Sequence, residues 1–240
     1  MNVYRLPAFQ DNYFWIIENP DAPEEVAVVD PGNAVVVDAW LAANNRRLAL
    51  ILLTHHHADH VGGAAQLREE HGCSILGPAG DAARISFEYR HVIDEQIVDV
   101  LGLSTQVIAV PGHTLGHIAY WFSVSGKLFC GDTLFAMGCG RLFEGTAEQM
   151  WGSLNRLKSL PDATLVYCAH EYTQSNCRFA FSEEPENLNV LQRCEIVADA
   201  RASNMPTVPF ELGIDKLSNP FLRVNLANFA ALRQRKDNFR

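Results

Sequence analysis

The chain has no Cys-x-x-Cys pair, no Gly-x-Ser-x-Gly elbow, no internal repeat and no low-complexity tract. Without the elbow there is no ready seryl nucleophile. The six cysteines (Cys73, Cys130, Cys139, Cys168, Cys177 and Cys194) are scattered. They read as reduced, mostly buried thiols rather than a disulfide framework. No apolar run approaches the roughly 20 residues a membrane-spanning helix needs. Residues 1–7 lack the charged-then-apolar pattern of a secretory leader, so a cytoplasmic location is expected. Basic charge is scarce too: 19 Lys and Arg stand against 28 Asp and Glu, for a net charge of -9. That balance argues against a general nucleic-acid or anionic-membrane binder. The exception is the tail, where Arg223, Arg233, Arg235, Lys236 and Arg240 face only Asp237. Such a corner is a solvated face or the seat of an anionic small molecule.

What is present is an ordinary globular composition, 48% hydrophobic over 240 residues, enough for a sizeable core. Short apolar runs at 13–17, 26–29, 48–54, 74–76, 97–101, 105–110, 118–124, 128–130 and 164–168 predict strands. Helical patterns fall at 35–45 and 63–71. Thr146 and Gln149 form a capping-box signature that opens a third helix reaching 160. After His170 the pattern turns helical, at 173–182, 187–204 and 225–235. The expected organisation is an α/β sandwich over residues 1–170, with helices outside layered sheets, followed by a small helical region over 171–240.

The chemistry concentrates in Thr54-His55-His56-His57-Ala58-Asp59-His60. In an extended segment residues i and i+2 point the same way, so His55 and His57 can serve one metal. Asp59 and His60 then reach toward a second, and His56 points away as a structural residue. Three further candidates each follow a strand-like run: His113 after Val110-Pro-Gly, Asp132 after Cys130-Gly, and His170 after Cys168-Ala. Strand ends meeting at one sandwich edge would gather them. His55, His57 and His113 make one ligand set; Asp59, His60 and His170 make another; Asp132 can bridge. Such a set leaves room for water and substrate, which favours an enzyme over a closed metal-binding scaffold. The donors suit zinc, iron or manganese. Asp30 is either a turn residue or an acceptor for a ligand imidazole. His117 reads as a supporting residue, and His71 and His91 as uninvolved.

Several strings then resemble a known family. THHHADH, PGHTLGH and GDTLF resemble the metallo-β-lactamase superfamily. PAFQDNYFW (7–15), GCGRLFEGTAEQM (138–150), AHEYTQSN (169–176), NPFLR (219–223) and RKDNF (235–239) resemble its glyoxalase II branch, the hydroxyacylglutathione hydrolases. The resemblance implies a four-layer αβ/βα sandwich with two divalent metal ions, zinc before iron or manganese, at one edge. It implies hydrolysis of S-D-lactoylglutathione to glutathione and D-lactate by a metal-bridging hydroxide, the second step of methylglyoxal detoxification. The same seven ligands carry over, with Asp59 and Asp132 as the catalytic carboxylates. Glutathione contacts carry over to Arg141, Tyr172, Arg233 and Lys236, with Phe143 beside them. Phe143 stands where some members have tyrosine, and Arg141 where those members have lysine, so a hydroxyl is lost and a point charge becomes a fork. A glutathione persulfide dioxygenase of the same superfamily is the alternative. A monomer that binds neither nucleic acid nor membrane is expected.

Overall fold

A computed structural model describes residues 1–239. Arg240, counted above in the basic tail, lies outside the described residues.

The first sheet is built from β1 (Asn2–Ala8), β2 (Asn12–Glu18), β3 (Glu25–Val29), β4 (Arg47–Leu52), β5 (Ser74–Pro78) and β6 (Arg90–Val92), in that spatial order. Pairing is antiparallel from β1 to β3 and parallel from β3 to β6. The parallel steps need crossovers: α1 (Ala34–Asn44) supplies the one from β3 to β4, α2 (Ala58–Val61) and α3 (Ala64–His71) the one from β4 to β5, and a loop with one 3-10 turn joins β5 to β6. All seven residues of β2 are buried, because both faces of the sheet are covered. Trp15 and Ile17 enter the core between the sheets, while Phe14 and Ile16 pack with Val37, Leu41 and Leu67 beneath α1 and α3.

The second sheet has the order β14-β13-β10-β9-β8-β7. Its members are β7 (Ile97–Val100), β8 (Leu103–Ala109), β9 (Ile118–Phe122), β10 (Lys127–Gly131), β13 (Leu165–Cys168) and β14 (Phe210–Glu211). Between β10 and β13 lie the short ribbon of β11 (Leu134–Phe135) and β12 (Gly138–Cys139), and α4 (Ala147–Lys158). Helix α4 begins at the predicted capping box: Thr146 accepts from the Gln149 N–H, and Gln149 reaches back to the Thr146 N–H. Its Met150, Leu154 and Leu157 are buried in the main core with Tyr120, Phe122 and Phe129. The result is helices, sheet, sheet and helices, the expected four layers.

The remaining chain forms α5 (Thr173–Glu183), α6 (Leu188–Ala202), α7 (Leu212–Ser218), α8 (Pro220–Arg223) and α9 (Leu226–Asn238). Phe179, Phe221 and Phe229 anchor these helices into the main core. The stretch after His170 is not purely helical, since β14 pairs antiparallel with β13 and re-enters the second sheet. No described helix is long and apolar enough to cross a membrane.

Candidate metal centre

Each candidate ligand follows the C-terminal end of a strand, where the backbone leaves the ladder and side chains are free to turn inward. His55 and His57 follow β4. His57 sits at the N-cap of α2, whose single turn carries Asp59 and His60. His113 follows β8, Asp132 follows β10, and His170 follows β13. The two sheets are stitched together at this edge by a bridge between Asn12 and His170 and by the Tyr13 N–H donating to the Ala169 carbonyl at 2.7 Å. Gly131 makes the last step to Asp132 possible. It has φ +49°, and a Cβ there would lie 2.3 Å from Thr54 Oγ1 and 2.8 Å from the His117 ring.

The imidazole tautomers follow from what each Nδ1 touches. Asp30, Asp11 and the Arg141 carbonyl can only accept, so His60 (3.0 Å), His170 (2.8 Å) and His113 (2.9 Å) donate from Nδ1–H. Thr54 Oγ1 spends its one hydrogen on Asp30 at 2.7 Å, so at 3.0 Å it accepts from His55 Nδ1–H. In their neutral forms all four rings therefore turn a bare Nε2 inward. His55 Nε2 and His113 Nε2 each lie 3.1 Å from His57 Nδ1. Asp59 Oδ2 lies 3.4 Å from His60 Nε2 and 3.5 Å from His170 Nε2.

The potential ligand atoms of His55, His57 and His113 lie within 4.8 Å of one another, as do those of Asp59, His60 and His170. Asp132 stands between the sets, with Oδ2 3.4 Å from His113 Nε2 and 3.3 Å from His170 Nε2. Its Oδ1 and His60 Nε2 are buried without a hydrogen-bond partner. Orphans of that kind are costly unless something fills the gap. Two adjacent nitrogen-and-oxygen nests, with lone pairs aimed inward, fit a pair of divalent cations.

Electrostatics divides the sets. Burial, reinforced by neighbouring imidazoles, lowers His55 and His113 and brings His57 down to about 4, so the first set is neutral nitrogen donors. Burial also opposes charge on His60 and His170, but Asp132 outweighs it, helped by Asp30 and Asp11 respectively, and both are raised. Burial would raise Asp132 and Asp59; the adjacent imidazoles, His60 foremost, reverse this and hold both low. The carboxylates thus draw positive charge to the second set.

The supporting residues are resolved as well. Asp30 is both alternatives at once: it turns the chain at φ +51° and accepts from His60 and from Thr54. His117 accepts the Asp132 N–H on Nε2 at 3.1 Å and stacks on His55 at 4.5 Å. His56 points away, to Asp81 at 3.0 Å. His71 pairs with Asp38, and His91 packs on Tyr89; neither joins the centre. Asp11 and Asn12, which steady His170 and Asp59, were missed as supporting residues. Their only signal was their place in PAFQDNYFW.

A cavity of about 420 Å³ opens onto His113 and Asp132 and is lined by Arg141, Phe143, Tyr172, Ser175, Arg233 and Lys236. All five predicted substrate-contact residues are therefore in one place. They are not equally free. Arg141 is largely exposed, 3.9 Å from Asp237. Phe143 sets its ring against His57 and His113. Tyr172 stacks on His170 at 4.7 Å, and burial raises its hydroxyl so that it stays a neutral donor. Arg233 is buried and already engaged by the Cys139 carbonyl at 2.8 Å and Asp237 at 2.9 Å. Lys236 is pushed down to about 8 by burial and by Arg233, Arg178 and Arg141. Two other described cations of the tail do not serve the cavity: Arg235 pairs with Glu183, and Arg223 with Glu184.

Comparison with known proteins agrees with this layout. Residues 7–170 match the Metallo-beta-lactamase superfamily, and residues 171–239 match the Hydroxyacylglutathione hydrolase C-terminus. A hydroxyacylglutathione hydrolase of Pseudomonas putida is 49% identical over 98% of both chains. One from Pseudomonas paraeruginosa is 52% identical over 92% of this chain and 85% of the other. The fold resembles the crystal structure of BLEG-1 B3 metallo-beta-lactamase, with TM-score 0.69 and 21% identity over 93% of this chain and all of that one. On matches that run from end to end at about half identity, the chain belongs to the hydroxyacylglutathione hydrolase family of the metallo-β-lactamase superfamily.

Proposed function

We propose that this chain hydrolyses the thioester of S-D-lactoylglutathione and related 2-hydroxyacyl glutathiones, releasing glutathione and the hydroxy acid. The observation that carries the reading is Asp132 lying between two ligand sets on the floor of a cavity walled by cationic and aromatic side chains. When bound, two divalent cations supply an acidified water as nucleophile and positive charge for the carbonyl oxygen under attack. His55, His57 and His113 would hold one, Asp59, His60 and His170 the other, with Asp132 shared. We take zinc as the native metal, with iron or manganese as the alternatives that metal analysis distinguishes.

The chain's own groups do the rest. Lys236 and Arg141 meet the carboxylates of the glutathione portion, and Tyr172 donates to its peptide groups. Arg233, already committed to Cys139 and Asp237, positions α9 and presents charge rather than a free fork. Phe143 shields the His57 and His113 edge from water. The leaving thiol has an ordinary pKa of roughly 8.5, so its anion departs without an acid beside it. The reading includes a cytoplasmic monomer that engages neither nucleic acid nor membrane.

The test is to follow loss of the thioester absorbance of S-D-lactoylglutathione with purified protein of measured metal content. Hydrolysis with equal yields of glutathione and D-lactate is expected, and the activity should disappear on chelation. Fully loaded protein that leaves the thioester intact would overturn the assignment.

A further inference from the structure

Helices α5 and α6 form a hairpin that places two cysteines side by side. Cys177 lies six positions before the end of α5, and Cys194 six positions after the start of α6. In an antiparallel hairpin those positions face each other. The structure agrees: the Cys194 thiol donates to the Cys177 carbonyl oxygen at 3.4 Å, and Cys194 packs against the small apolar cluster that contains Cys177. Both line a cleft of about 250 Å³, with Gln174, Arg178, Phe181 and Val197. Cys194 is half-buried, whereas Cys177 is buried behind it. The neighbouring Cys177 and the charge of Arg193 hold Cys194 below the ordinary thiol value, while Cys194 and burial push Cys177 up. An accessible, acidified thiol backed by a second thiol is the arrangement that exchange with a disulfide requires. Cys130 and Cys168 offer a contrast, since both are fully buried and raised. The metal centre uses none of these sulfurs.

We propose that Cys194 and Cys177 form a thiol–disulfide exchange site that takes a low-molecular-weight disulfide and closes to an intramolecular Cys177–Cys194 bridge. The Cys194 thiolate attacks one sulfur of the disulfide RSSR. A mixed disulfide Cys194–S–S–R forms, and the first RS⁻ leaves. Cys177 then gives up its proton and attacks the Cys194 sulfur, so that the intramolecular S–S bond forms as the second RS⁻ leaves. Two cysteine sulfurs are oxidised, one RSSR is reduced to two thiols, and the two cysteine protons end on those thiols. The bridge would brace α5, the helix that carries Ser175 and Asn176 to the wall of the substrate cavity. A reversible bond of this kind suits a reducing compartment, where disulfides are transient.

The experiment treats the full-length, metal-loaded, reduced protein with oxidised glutathione, blocks free thiols under denaturing conditions and maps the peptides by mass spectrometry. The expected result is a cross-linked peptide joining 177 to 194, no retained glutathionyl group, and recovery of both thiols on reduction. Cys177→Ser should instead trap one glutathionyl group on Cys194, and Cys194→Ser should yield neither product. Wild-type protein that forms no 177–194 cross-link, or that keeps a glutathionyl group on Cys194 without closing, would overturn the proposal. The wild-type result decides the matter even if a variant folds poorly.

Discussion

One carboxylate, that of Asp30, fixes two parts of the centre. It accepts from His60 Nδ1 and from the Thr54 hydroxyl, and Thr54 in turn accepts from His55. Replacing Asp30 by Asn puts an amide where only acceptors serve, so both rings lose their fixed tautomer. Asp30→Asn is expected to weaken metal affinity by roughly 10–100-fold, measured by competition with a chromophoric chelator. Wild-type affinity in that variant would show that the ring orientations do not depend on Asp30. Lys236 sets the pH response of binding. Its proton, ordinarily held to 10.5, is lost as pH rises through about 8. An anionic substrate needs that proton, so KM should climb above pH 8 while kcat moves less, and Lys236→Ala should flatten the rise. A KM that is level from pH 7 to 9 in the wild type would remove Lys236 from substrate binding. At this scale the ligands were legible because histidines and aspartates gathered beside glycines after strand-like runs. Asp11, Asn12 and Thr54 were not, because their roles depend on contacts across the fold rather than on spacing.

At the scale of elements, strand ends place the ligands and their tight backbone steps hold them. Gly131 shows how little room there is beside Asp132. Gly131→Ala would force a side chain into the left-handed region and against Thr54. We expect destabilisation of about 1–3 kcal/mol, read as a lower urea midpoint at unchanged slope. A midpoint equal to wild type would mean the loop can move aside and that its conformation is not fixed as described. The strands with continuous apolar runs and the helix with the Thr146 box were readable because local pattern and tertiary burial agree there. Edge elements were not. β1 lies at the sheet margin and carries Arg5 and Pro7, which break the apolar run. β14 has only two residues, and α7 hides behind Gly213 in its first turn. NPFLR was noticed as a string, but its helical turn, capped by Asn219 accepting from Phe221, became visible only in the fold.

For the whole molecule, the two sheets and the helical region meet around one polar centre whose orphaned atoms call for cations. Filling it should tie the layers together. With free metal at 100 times its dissociation constant, each site adds about 2.7 kcal/mol to stability. Chelation should therefore lower Tm by roughly 5–10 °C per site for a chain of this size. An unchanged Tm would mean that the two ligand sets are not filled in the native protein. Layered sheets with outer helices could be inferred from alternating strand and helix patterns, and the four-layer count came from the family resemblance. The docking of the C-terminal helices through Phe179, Phe221 and Phe229 could not, since those rings look like any amphipathic helix face in one dimension.

The most direct test of the central claim is metal titration of chelated protein, with bound ions counted by elemental analysis and S-D-lactoylglutathione hydrolysis measured on each fraction. Two ions per chain should bind, with Asp132→Ala losing both ions and activity together. Full activity with a single ion bound, or an active Asp132→Ala variant, would contradict a centre in which Asp132 joins two ligand sets.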